Sequence, residues 1–85
     1  MVAFTDAQLE QEAESLLSLR SRGVPKSDSR VLRSERILRE GLVERRGKVR
    51  QFGMIVVMMG THGRIEAVPV DQIDGSPVPG DGRPF

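Results

Sequence analysis

At 85 residues, with 38% hydrophobic residues, three Phe and neither Trp nor Tyr, the chain has room for one small domain with a thin core. The absence of cysteine excludes disulfides and thiolate metal sites, and a single histidine, His62, excludes a multi-histidine metal centre within one chain. The net charge of +1 hides a segregation: residues 1–19 carry −4, residues 20–50 carry +7 from eleven Lys or Arg against four acids, and residues 51–85 carry −2. A middle segment of this kind sets up a local positive field that the whole-chain charge conceals.

The first predicted element is a helix over about 5–21. Thr5 and Gln8 have the spacing of a capping box, and Phe4 and Leu9 that of a hydrophobic staple. Asp6 suits the positive end of the helix dipole. Leu9, Ala13, Leu16 and Leu17 recur at helical spacing, and Gly23 followed by Pro25 marks the stop.

A second helix is expected to begin at Ser27 or Asp28, either of which is a good N-cap. Val31, Leu38 and Leu42 define its inner side, flanked by Leu32. Gly41 is expected to end it, with Leu42 folding back on Ile37. This segment holds "RVLRSERILR", with an arginine at every third position: Arg30, Arg33, Arg36 and Arg39. On a helix that row wraps about half the circumference while rising about 13 Å, largely opposite the apolar side. The ordinary account of such a row is a solvated face laced with Glu35–Arg39 and Arg36–Glu40 pairs. A second basic cluster, Arg45, Arg46, Lys48 and Arg50 in "ERRGKVR", favours a phosphate-binding surface instead, because it places a glycine amid four cations between strand-like segments.

From residue 42 onward the hydrophobic period changes from 3.6 to 2. "LVERRGKVRQFGMIVVMM" reads as strand, with Gly47 as its turn or bulge. "GTHG" at 60–63 reads as a tight loop with His62 a polar turn residue, and "RIEAVPV" at 64–70 as the returning strand, at an edge because Pro69 cannot donate. "MIVVMM" at 54–59 is apolar at six successive positions, so both strand faces need cover. A second copy of the chain is the expected cover on one side, through Met54, Ile55, Val57 and Met59. The tail 75–85 is rich in Gly and Pro and is expected to be loose, an idle terminus being the ordinary account and a docking end formed by Phe85 and its carboxylate the alternative.

The run "ILREGLVERRGKVRQFGMIVV" at 37–57 resembles the end of the recognition helix and the wing of winged-helix DNA-binding domains. The resemblance implies that residues before Gly41 face the major groove and that Lys48 lies at a wing tip. That family carries a further helix before the recognition helix, and "VPKSDS" is too short to hold one here. The stretch "PVDQIDGSPVPGDGRP" is similar to the closing hairpin of fold-type IV aminotransferases. Those enzymes hold pyridoxal phosphate on a lysine in a much larger domain, whereas Lys26 and Lys48 lie in basic polar segments.

The expected fold is α+β: two N-terminal helices on a small antiparallel hairpin or sheet in one domain over 1–74. No catalytic constellation, cofactor site or metal site is expected, Asp71, Asp74 and Asp81 being too scattered for a cation. The expected function is a small non-catalytic nucleic-acid-binding protein, such as a transcriptional regulator. It would use Arg33, Arg36, Arg39, Arg45, Arg46, Lys48 and Arg50 on phosphates. Duplex DNA is favoured because Phe52 is the one aromatic in the basic region, too few for a stacking platform. The alternative is an interaction or assembly module whose basic helix docks an acidic partner or another subunit. The N-terminus lacks a signal sequence and "MIVVMM" is too short to span a bilayer, so a cytoplasmic protein is expected.

Overall fold

Thr5 starts the first helix. Its Oγ1 accepts the Gln8 N–H at 3.1 Å, while the Gln8 side chain accepts the Thr5 N–H at 2.8 Å. This reciprocal box satisfies two N–H groups that helix geometry leaves without partners. The computed structural model describes residues 3–73, and in it α1 runs Asp6–Ser21. The helix closes in a Schellman motif: the Val24 N–H donates to the Leu19 carbonyl at 3.1 Å and the Gly23 N–H to that of Arg20 at 3.0 Å, with Gly23 left-handed.

Asp28 caps α2, which spans Ser29–Glu44. Its carboxylate accepts the Arg30 N–H at 2.8 Å and also the Arg30 guanidinium at 3.0 and 3.1 Å. Those bonds from Arg30 hold the carboxyl below its ordinary pKa. The expected stop at Gly41 is not one. The helix passes through Gly41, and Leu42 is a fully buried helical residue rather than a fold-back contact on Ile37. Gly41 is there for space: a Cβ at this position would stand 2.5 Å from Cδ1 of Leu9. The two helices therefore cross at a point that admits no side chain. The helix instead ends in a second Schellman motif, with Gly47 N–H bonded to the Leu42 carbonyl and Arg46 N–H to that of Val43, both at 3.0 Å. Arg46 takes the left-handed position at φ 54°, which glycine usually fills.

Three strands follow as an antiparallel meander, β1 (Val49–Phe52), β2 (Ile55–Met59) and β3 (Ile65–Pro69), in the order β1-β2-β3. The turn of the first hairpin is Gly53–Met54, not Gly47. Gly53 at φ 62° opens a two-residue loop of the II′ kind, whose twist matches that of the strands. Pro69 closes an edge strand, as expected, and a short helix α3 (Val70–Ile73) begins where the Val70 N–H donates to the Met54 carbonyl at 2.8 Å.

The fold is thus two N-terminal helices on a three-stranded antiparallel sheet, an α+β arrangement. Strand alternation points Phe52, Ile55, Val57, Ile65 and Ala67 at the helices, where they are buried with Leu9, Ala13, Leu16 and Leu19 of α1 and Val31, Leu38 and Leu42 of α2. The opposite face carries Val49, Val56, Met58 and Val68, paired across the strands as Val49 with Met58 and Val56 with Val68. Among the described residues no helix is long and apolar enough to cross a membrane. The tail 75–85 lies outside the described residues.

Two ion pairs join the helices to β3 and its approach: Arg20 of α1 donates to the Glu66 carboxylate at 2.7 Å, and Arg64 to that of Glu35. Glu35 is buried, its side chain 4% exposed, and its carboxylate accepts from Arg64 at 2.9 Å. The same Arg64 nitrogen also donates to the Lys26 carbonyl at 3.3 Å. The expected Glu35–Arg39 pair is therefore absent, because Glu35 turns inward to the start of β3.

Candidate nucleic-acid interface

The arginine row of α2 divides into three kinds of residue. Arg30 is committed to Asp28 through two hydrogen bonds that fix its guanidinium. Arg33 and Arg36 are exposed, and among the described residues no carboxylate stands within 4.0 Å of either, so the expected Arg36–Glu40 pair is also absent. Arg39 is half-buried and donates to the Gly63 carbonyl at 3.1 Å, which fixes one edge of its guanidinium and leaves its charge uncompensated. With the two expected intrahelical pairs missing, the row is not the self-neutralised face that its glutamates suggest.

The second cluster divides as well. Arg45 is not available to phosphate. Its side chain is 11% exposed and bonds Asp6 at 2.9 Å, the Phe4 carbonyl at 2.7 Å and the Gly41 carbonyl at 3.2 Å. It ties the start of α1 to the end of α2, and its charge is spent there. Arg46, Lys48 and Arg50 are exposed and, among the described residues, have no carboxylate partner within 4.0 Å. Lys48 is not at a hairpin tip. It precedes β1, and its carbonyl accepts the Met59 N–H at 2.7 Å.

That bond places Lys48 at the end of the sheet where β2 passes into β3 through residues 60–64. The loop at this end is pinned from three sides. The Gly60 N–H donates to the Arg64 carbonyl at 2.7 Å, Arg39 holds the Gly63 carbonyl from α2, and the Arg64 side chain reaches Glu35 and Lys26. Within it His62 is exposed and left-handed, at φ 59° and ψ 25°. Around this loop the fold gathers the Arg39 side chain and the main chain of Lys26 and Lys48, residues far apart in sequence. Sequence reasoning singled out Lys48 and Arg39 but missed Lys26, Arg64 and the role of the loop in gathering them. The one local signal was a histidine between two glycines.

The apolar positions expected to contact a second copy fare differently. Ile55 and Val57 are buried under the chain's own helices, and Met59 packs against the same core. These three need no partner to cover them. Met54 is in the hairpin turn rather than the strand and is 68% exposed. The residues of this strand on the face away from the helices are Val56 and Met58, both half-buried.

The chain shows no match to protein-family models, to curated proteins or to solved structures.

Proposed function

We propose that the chain is a small non-catalytic nucleic-acid-binding protein that takes duplex DNA through its phosphates. The observation that carries this reading is the set of exposed, unneutralised cations: Arg33 and Arg36 on α2, and Arg46, Lys48 and Arg50 around the start of β1. Phosphate contacts give affinity without sequence and are screened by salt. If all five residues meet phosphates, log affinity should fall with log salt with a slope of about −4.5. Changing Arg46, Lys48 and Arg50 together to glutamine should flatten that slope by about 2.7. Arg46→Gly alone is a useful control, since it should weaken binding while relieving a left-handed arginine. A wild-type protein that fails to retard duplex DNA at low salt would remove the proposal.

A second reading has its own support. Leu32 and Val43 are 45% and 62% exposed on the same outer side of α2 as Arg36. An apolar pair among arginines suits an acidic protein surface, which the basic helix would dock. Retention of an acidic protein with no retention of DNA would favour it.

The proposed protein is a homodimer whose contact surface is the open sheet face rather than Ile55 and Val57. With two helices on one side of the sheet, the other face, which holds Val49, Val56, Met58 and Val68 with Gln51 and Glu66 among them, is the surface a second copy would cover. Val49 is 60% exposed in the single chain, so Val49→Lys should leave the fold intact and abolish the dimer in sedimentation velocity. A wild-type monomer at micromolar concentrations would sink this part of the proposal alone.

A further inference from the structure

A left-handed backbone is costly for any residue with a Cβ, and proteins usually place glycine or asparagine there. Residue 62 has glycine two positions before it and directly after it, yet is itself a histidine at φ 59°. Local strain held by surrounding structure points to a role for the side chain that is strained. Here the surroundings are explicit. The loop is closed by the Gly60–Arg64 hydrogen bond, clamped by Arg39 at the Gly63 carbonyl, and tied by Arg64 to a buried carboxylate. His62 therefore projects from a loop with little freedom to rearrange.

The charges around it complete the picture. Arg39 lies against the loop, its Cδ 3.4 Å from where a Cβ on Gly63 would stand. Lys26 is one arginine side chain away, through the Arg64 bond to its carbonyl. Lys48 is opposite Met59, immediately before the loop. Among the described residues the one carboxylate bonded to the loop, Glu35, is buried and neutralised by Arg64. In this loop the exposed imidazole, like the Thr61 hydroxyl beside it, can both donate and accept a hydrogen bond, whereas Lys and Arg only donate. Base edges in the major groove present both donors and acceptors, and phosphates only acceptors.

We propose that the loop 60–64 enters a groove of duplex DNA, with His62 at the base edges and Lys26, Arg39 and Lys48 on the flanking phosphates. The proposal rests on the nucleic-acid reading and adds to it the residue that determines sequence preference. It separates two roles: the cations set affinity and its salt dependence, while His62 sets discrimination.

The test is selection from a randomised duplex pool, with sequencing of bound and unbound fractions, on the wild type, His62→Gly and His62→Asn. Circular dichroism should show both variants folded, with the thermal midpoint of His62→Gly at or above the wild type's because glycine accepts this backbone. The wild type should enrich a subset of sequences. His62→Gly should keep the salt slope but lose discrimination about tenfold or more, within what one good base contact supplies. His62→Asn, which keeps hydrogen-bonding groups and tolerates the left-handed backbone, should retain part of it. Salt-sensitive binding with no sequence preference in the wild type, or an unchanged enrichment profile in His62→Gly, overturns the role of His62 and leaves the nucleic-acid reading standing. No duplex binding by the wild type overturns both.

Discussion

Arg64→Ala is expected to cost about 3–5 kcal/mol of folding stability, although Arg64 is itself 38% exposed. The cost falls on its partner. Glu35 sits on the inner side of α2 with 4% of its side chain exposed, and its charge is balanced there by one guanidinium at 2.9 Å. Removing the arginine leaves a carboxylate out of water with no counter-charge. Removing the carboxylate is the milder change, because a half-exposed arginine regains hydration when released. Glu35→Gln should therefore cost less, about 1–3 kcal/mol. Replacing both residues with apolar ones of similar volume, Glu35→Leu with Arg64→Met, should restore most of the loss. Urea unfolding at neutral pH measures all four proteins. An Arg64→Ala midpoint within about 0.5 kcal/mol of the wild type would mean that Glu35 is hydrated rather than buried, since only ordinary surface changes are that small.

The same pair explains why part of the architecture was legible in the sequence and part was not. Local rules carried the helix starts. Thr5 and Gln8 read as a capping box and form one, and Asp28 was one of two candidates for the second cap. Gly23 followed by Pro25 read as a stop, and a Schellman motif sits there. Period alone marked 64–70 as the returning strand, which is β3, but it placed the change from helix to strand at residue 42, whereas α2 runs to Glu44 and β1 begins only at Val49. Where a residue answers to a distant neighbour, local rules misread it. Gly41 looked like a helix terminator because glycine is common there, but it is a crossing point whose reason is Leu9. Glu35 looked like a solvent-side partner for Arg39 because four-residue spacing allows it, but it is drawn inward by Arg64. Arg45 looked like one more free cation, and its partners Asp6 and Phe4 lie at the far end of the chain. The hairpin turn was a missed local signal. Gly53 between Phe52 and Met54 is the Gly-first pattern of a two-residue loop, whereas Gly47, amid the charged cluster, belongs to the end of α2.

The candidate interface follows the same division. Which residues are cationic is visible in the sequence, whereas which cations are already neutralised is a property of the fold. Arg30 and Arg45 drop out because Asp28 and Asp6 take their charge, while Arg33, Arg36, Arg46, Lys48 and Arg50 remain exposed and Arg39, half-buried, keeps an uncompensated charge. The loop 60–64 then draws in the main chain of Lys26 from the helix connection, through the Arg64 side chain.

Gly41→Val is expected to be among the most destabilising single changes on α2, at about 3 kcal/mol, the upper end of what overpacking usually costs. On an isolated helix the sign would be opposite. Replacing a mid-helix glycine with alanine stabilises by roughly 1 kcal/mol through the backbone entropy that glycine loses. In α2 a Cβ would lie 2.5 and 2.7 Å from the two Cδ atoms of Leu9, a side chain that is itself fully buried in an interior that is close-packed. The helices must then separate, and every layer between Leu9 and Leu42 loosens with them. Even Gly41→Ala should therefore destabilise, by about 1–2 kcal/mol after its propensity gain is counted. Leu9→Ala alone should cost about 2–5 kcal/mol by opening a cavity at the same crossing. Combined with Gly41→Val, the new side chain occupies part of that cavity, so the double variant should be less destabilised than the two losses added, by about 0.5–3 kcal/mol. Chemical denaturation of the two single variants and the double closes the cycle. Strict additivity would show that Leu9 and Gly41 do not share one space, and with it would go the account of why the second helix runs on past its glycine.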